Sequence, residues 1–162
     1  MEWAEIDLEK AEWNIPAAKM LKNDMPHTVP IPRQALEILK DLHPLTGRNK
    51  FVFPSQKNPR EKHASNGTIN KALQNMGIDT AKTHCAHGFR ASARTMLDEQ
   101  LDFRIEWIEQ QLAHKVRDPL GRAYNRTKHL PQRQEMMQRW ADYLDHLKMN
   151  AISTDTSRSK SI

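Results

Sequence analysis

The chain has little of what would take it out of the ordinary globular class. It carries one cysteine, Cys85, in 162 residues, so no disulfide can close within it. No apolar run approaches the roughly 18 residues that a membrane-spanning helix needs. The start, Met1-Glu2-Trp3-Ala4-Glu5, has neither the basic nor the apolar region of a secretory signal. These absences lead to the expectation of a cytoplasmic protein. No internal repeat is visible, and residues 1–32 contain no arginine at all.

What is present is ordinary in amount and informative in pattern. Hydrophobic residues make up 38% and charged residues 28% of the chain, a composition typical of globular proteins. The length fits one domain with a real core. A formal net charge of +5 favours a polyanionic partner, nucleic acid first, while saying nothing about fold.

The first thirty residues alternate like strands. Ile6-Asp7-Leu8 and Trp13-Asn14-Ile15 flank a turn-compatible Glu9-Lys10-Ala11-Glu12, and His27-Thr28-Val29-Pro30-Ile31 follows after a basic-leaning loop from Ala17 to Met25. Pro16, Pro26, Pro30 and Pro32 cannot donate to a central ladder, so these strands must be short or lie at edges. From Pro32 the period becomes helical, with Ala35, Leu36, Leu39 and Leu42 on one face and a stop expected near His43-Pro44. Phe51-Val52-Phe53 reads as a short strand and Ser55 to Lys62 as an exposed loop. Ser65 or Asn66 would cap a helix bearing Ile69, Leu73 and Met76, ended by Gly77.

Three further apolar faces follow at helical spacing: Phe89, Ala93, Met96 and Leu97; then Ile105, Ile108 and Leu112; then Met136, Met137, Trp140, Leu144 and Leu147. They imply one shared core. The fold class is therefore mainly α with a small antiparallel β-sheet near the N-terminus, α+β. Residues 150–162, rich in serine and threonine, have almost nothing to bury and are expected to be a disordered tail after a domain spanning 1–149.

Four polar residues stand out in the second half. His87 and Arg90 are three apart in His87-Gly88-Phe89-Arg90, His114 lies in Gln111-Leu112-Ala113-His114-Lys115, and Tyr124 lies in Ala123-Tyr124-Asn125-Arg126. Arginine suits a phosphate because its planar fork donates two parallel hydrogen bonds and stays charged. Histidine suits proton transfer near neutrality, and a tyrosine can act as a nucleophile. Each has an unremarkable reading too: a surface or capping pair for His87 and Arg90, a helix C-terminal histidine for His114, a packed tyrosine for Tyr124. A zinc site built on His84, Cys85, His87 and His114 fits no standard ligand spacing, and Arg90 beside it would repel a cation.

The order of these residues and the wording around them resemble the catalytic domain of tyrosine recombinases, within them the phage and genomic-island integrases. The matching segments run from Trp3-Ala4-Glu5-Ile6-Asp7-Leu8, Trp13-Asn14-Ile15-Pro16-Ala17 and Pro26-His27-Thr28-Val29-Pro30, through the motifs of His87, His114 and Tyr124, to Met137-Gln138-Arg139-Trp140-Ala141-Asp142-Tyr143-Leu144. The resemblance implies the tyrosine recombinase catalytic-domain fold and site-specific DNA integration, with double-stranded DNA at attachment sites as the partner. Tyr124 would attack the scissile phosphate to give a 3′-phosphotyrosyl intermediate, Arg90 would clamp the nonbridging oxygens, and His87 and His114 would support the phosphate and its proton transfers. A lysine in the loop before the third strand would protonate the leaving 5′-oxygen. Lys22 matches that position best by its distance to Pro26-His27, with Lys19 the alternative.

No metal, ATP or other cofactor is implied, because the covalent bond stores the energy for rejoining. Lys19, Arg122, Arg126 and Lys128 are candidate DNA contacts, and Arg133 and Arg139 extend the basic cluster around Tyr124. A homotetramer on DNA is implied for a full-length protein, a monomer for this chain alone. The family has a further catalytic arginine upstream of the first strand, a position this chain does not contain. Strand exchange by the 162 residues alone is therefore expected to be feeble or absent. A non-catalytic DNA-binding remnant of an integrase is the competing expectation.

Overall fold

In the computed structural model, residues 1–20, 25–114 and 129–159 are described, with side chains through 153. Three short strands, β1 (Ile6–Asp7), β2 (Glu12–Ile15) and β3 (His27–Pro30), form an antiparallel sheet in the order β1-β2-β3. The register sets Ile6 against Trp13, Trp13 against Val29 and Ile15 against His27. The turn between β1 and β2 forms because the Asp7 carboxylate accepts the backbone N–H groups of Glu9 and Lys10, a side-chain mimic of a backbone turn. Pro30 is tolerated since β3 is an edge strand.

Helix α1 (Arg33–Thr46) starts directly after Pro32 and buries Leu39. It runs past the expected stop at Pro44, which lies in its last turn. There the ring sacrifices a single ladder bond, and the Gly47 N–H closes the turn on the His43 carbonyl. The segment 51–53 forms only an isolated bridge, Glu2 to Phe51, rather than a strand; Val52 is fully buried while Phe53 is exposed. The loop from Ser55 to Lys62 is closed by the Ser55 N–H on the Lys62 carbonyl.

Helix α2 (Thr68–Asn75) has Gly67 as its N-cap and no side-chain cap, so the expected cap by Ser65 or Asn66 is replaced by a hydroxyl contact between Ser65 and Thr68. Its C-terminus is as expected: Gly77 adopts φ +85°, and the Gly77 and Ile78 N–H groups return to the carbonyls of Gln74 and Leu73, a Schellman closure.

Helices α3 (Gly88–Glu99), α4 (Ile105–Gln111) and α5 (Leu130–Ser159) are the remaining helices among the described residues. Leu97, Phe103, Ile108 and Met136 form the shared core, with Leu101, Trp107, Leu112, Met137 and Trp140 packed around it. Four of the expected core residues, Phe89, Ile105, Leu144 and Leu147, are exposed. Phe89 and Ile105 sit in the first turns of α3 and α4, and Leu144 and Leu147 lie beyond Trp140, the last residue of α5 packed against that core. Helix α5 is pinned to α1 by Gln34, whose amide donates to Asp142 and Asp145, and by Gln138, which accepts from the Arg33 N–H and donates to the Gln34 side-chain oxygen.

The α5 backbone continues to Ser159, where a disordered tail from residue 150 was expected. Residues 150–153 are exposed, and the helix there is carried by local bonds: the Ser153 hydroxyl donates to the Met149 carbonyl, and Asn150 meets His146.

Candidate functional site

The site is built where α3 begins and α4 ends. The approach to α3 is a turn organised by Asp79, whose carboxylate accepts the Ala81 and Lys82 N–H groups, and by Asn70 of α2, which accepts the Ala86 N–H at 2.8 Å. His87 is the N-cap of α3 and is exposed. Gly88 follows because the His84 ring lies where a side chain would go: a Cβ at 88 would come within 3.0 Å of it. The same ring meets Phe89 edge-on at 4.4 Å between centroids. One turn into α3, Arg90 donates its own N–H to the His87 carbonyl and projects an exposed guanidinium.

Helix α4 ends in a second Schellman closure. The Ala113 N–H returns to the Gln110 carbonyl and the His114 N–H to the Glu109 carbonyl, with Ala113 at φ +53°. This is the left-handed conformation that Gly77 supplies at the end of α2, adopted here by a residue with a Cβ. The closure turns His114 back toward α3. Arg90 Nη2 donates to the Leu112 carbonyl and lies 3.4 Å from His114 Nε2. Among the described residues the Arg90 Nη1 and Nε atoms have no hydrogen-bonding partner, which leaves donors for an anion.

Behind His114 stands Glu109. One of its oxygens is 2.5 Å from His114 Nδ1 and the other accepts from Arg94 Nε at 2.7 Å. Partial burial pushes the Glu109 carboxyl up, but the hydrogen bonds from His114 and Arg94 outweigh it and hold the group below its usual range.

A second layer ties the sheet to this corner. His27, in β3, is 2% exposed, with Nε2 3.4 Å from the Gln111 carbonyl and Nδ1 without a hydrogen bond among the described residues. Burial, then the nearby Arg133 cation and more weakly Arg90, lower its pKa to about 4 against the opposing pull of the Gln111 carbonyl. Arg133 of α5 is wholly buried: Nε donates to the Gln111 side chain at 3.0 Å and Nη2 to the Thr28 carbonyl at 2.5 Å. The expectation that Arg133 joins a DNA-facing cluster is therefore corrected; its guanidinium links β3, α4 and α5. Arg139 stacks over Phe103 at 4.6 Å.

Of the residues expected at the site, the structure brings Arg90 and His114 together and places His87 one turn before Arg90. Lys19 lies elsewhere in its contacts: its ammonium pairs with Glu2 at 2.6 Å and with Glu5. Its desolvation is outweighed by those two carboxylates, which raise its pKa. Tyr124, Lys22, Arg122, Arg126 and Lys128 lie outside the described residues. Glu109, Arg94, His27 and Arg133 were not singled out for these roles from sequence. The available signal for Arg94 was its place four residues after Arg90 on one helix. Among the described residues no group of three or more His, Cys, Asp or Glu side chains is gathered to hold a metal ion, and no helix is long and apolar enough to cross a membrane.

Comparison with known proteins bears on what such a corner does. The model of the phage integrase family matches residues 1–129. The chain is 44% identical to Prophage integrase IntA of Escherichia coli K12 over 140 residues, covering 86% of this chain and 33% of that protein. It is 38% identical to the integrase of Enterobacteria phage P4 over 163 residues, covering 93% and 37%. It is 39% identical to Prophage integrase IntZ of E. coli K12, covering 90% and 35%. The chain thus spans about a third of the length of these relatives. No solved structure matches it significantly.

Proposed function

From the premise that the chain belongs to the phage integrase family, as the match over residues 1–129 shows, we propose that it carries the strand-cleaving site of a site-specific tyrosine recombinase acting on duplex DNA. The observation that carries this reading is the meeting of Arg90 and His114, 24 residues apart in sequence, with Nη2 and Nε2 3.4 Å apart. A guanidinium that has donors without a partner among the described residues, beside an imidazole, suits a phosphodiester whose charge grows in the transition state.

In the proposed reaction the Tyr124 oxygen bonds to the scissile phosphorus and the bond to the 5′-oxygen breaks. Arg90 holds the nonbridging oxygens, with His114 supporting them. His87 accepts the tyrosine proton, and Lys22 gives a proton to the departing 5′-oxygen. The phosphotyrosyl bond keeps the energy of the broken linkage, and the reverse attack by a 5′-hydroxyl rejoins the strand without ATP. Lys22 is preferred over Lys19 because the Glu2 and Glu5 carboxylates hold Lys19 protonated, which opposes the release of a proton.

Arg122, Arg126 and Lys128 would contact the DNA backbone on either side of the nucleophile, and Lys19 would do so only by exchanging carboxylate partners for phosphate. The acting unit is residues 1–149, assembled as a tetramer on attachment-site DNA within a longer protein. A polypeptide of these 162 residues has no arginine before Arg33. Tested alone, it lacks one transition-state donor of the family pattern and should cleave on the order of 100- to 1,000-fold more slowly than a complete site.

A duplex nicked beside the scissile phosphate tests the reading, since loss of the short 5′-hydroxyl fragment makes cleavage irreversible and lets slow turnover accumulate. A covalent protein–DNA adduct that Tyr124→Phe abolishes supports it. DNA binding with no adduct after prolonged incubation would favour a non-catalytic binding remnant.

A further inference from the structure

The proposed reaction uses His114 but leaves unexplained why a carboxylate stands behind it. Glu109 and His114 are five residues apart, beyond the three or four at which side chains stack along a helix. They meet because the Schellman closure at Ala113 folds His114 back, its N–H bonded to the Glu109 carbonyl. The Glu109 carboxylate is largely shielded, with one oxygen on His114 Nδ1 at 2.5 Å and the other held by Arg94 Nε at 2.7 Å.

An ionised carboxylate only accepts hydrogen bonds, so the hydrogen between it and Nδ1 belongs to the imidazole. In the neutral ring Nε2 then carries the lone pair. On that side stands Arg90 Nη2, 3.4 Å away, a group that only donates. Both contacts of the ring select the same tautomer and the same orientation.

We propose that Glu109, braced by Arg94, is a positioning residue that fixes His114 as the Nδ1–H tautomer, with its Nε2 lone pair turned toward the Arg90 guanidinium. The consequence rests on the reading of His114 as part of a phosphate site: its orientation and its proton are set before DNA arrives. Without Glu109 the ring is free to rotate about χ2, away from the Arg90 donors, and to carry its proton on Nε2.

The test is the nitrogen-15 spectrum of the imidazole ring in the full 162-residue chain, recorded as a pH series up to about pH 8 and read where the spectrum shows a neutral ring. The wild-type protein should show His114 protonated on Nδ1 alone. Glu109→Gln keeps an acceptor and should keep that pattern, while Glu109→Ala should move the proton toward Nε2. Proton on Nε2 of His114 in the wild type would overturn the proposal, and this outcome needs no variant to fold. An unchanged ring spectrum in a folded Glu109→Ala protein would overturn it as well.

On the nicked duplex, Glu109→Ala should lower the adduct-forming rate about tenfold or more with DNA affinity unchanged, and Glu109→Gln should recover most of it. Equal rates in all three would remove the positioning role. Absence of any adduct in the wild type would sink the proposed function instead, leaving the ring spectrum to decide the Glu109 contact.

Discussion

Lowering the pH from 8 to 5 should weaken this fold through one side chain, His27. The group is 2% exposed in the edge strand β3 and faces the buried Arg133 guanidinium. Burial, with the Arg133 and Arg90 cations, lowers its pKa from the ordinary 6.5 to about 4. In the unfolded chain the ring protonates near 6.5, so between about 4 and 6.5 the unfolded state binds more protons and stability rises with pH. Full titration of that difference corresponds to about 3 kcal/mol, and by pH 5 about 2 kcal/mol should already be lost relative to pH 8.

Urea unfolding followed by circular dichroism at a series of pH values measures this directly. The wild-type midpoint should fall steeply between pH 7 and 5, and His27→Gln should flatten that interval. Carboxylates with lowered pKa values, such as Glu5 and Glu109, titrate mainly below this window and should act alike in both proteins. The same slope in His27→Gln, or a wild-type loss under about 0.5 kcal/mol at pH 5, would refute the assignment.

Two further perturbations follow from the same geometry. Arg133→Ala removes a buried cation and strands the Thr28 carbonyl and the Gln111 side chain, so it should cost at least about 3 kcal/mol of unfolding free energy; a loss under about 1 kcal/mol would return Arg133 to the surface. Ala113→Gly relieves a left-handed residue at φ +53° and should raise stability by about 0.5–1 kcal/mol, read as a higher thermal midpoint. A lower midpoint would mean that the Ala113 methyl contributes more by packing than its backbone costs.

The sheet and most of the helices were legible in the sequence because local chemistry specifies them. Alternation in Trp13-Asn14-Ile15, prolines confined to strand margins and Gly77 at the end of α2 each have one natural reading. The limits of the helices were less so: Pro44 ends a helix only where the missing bond matters, and in the last turn of α1 it does not. An apolar face says which side of a helix packs, not which of its turns meets a neighbour, and so Phe89, Ile105, Leu144 and Leu147 share the pattern of core residues without entering the core.

Charge is harder still. Arg133 looks in sequence like any other member of a basic cluster, and only the carbonyl of Thr28 and the amide of Gln111 explain why it is buried. The Glu109–His114 contact crosses a helix end at a five-residue spacing, outside the helical period that makes such pairs visible. Arg90 and His114, by contrast, were recognisable by their motifs, and the structure supplies the reason they meet: a Schellman turn that aims the second at the first.

Peptide mapping by mass spectrometry, after the 162-residue chain is incubated with a nicked duplex, shows whether Tyr124 attacks DNA. One DNA-linked peptide is expected, joined at Tyr124 to the 3′-phosphate of the cleaved strand, and absent when Arg90 is replaced by alanine. DNA linked at any other residue, or a chain that binds the duplex and never becomes linked to it, would rule out Tyr124 as the nucleophile of a working site.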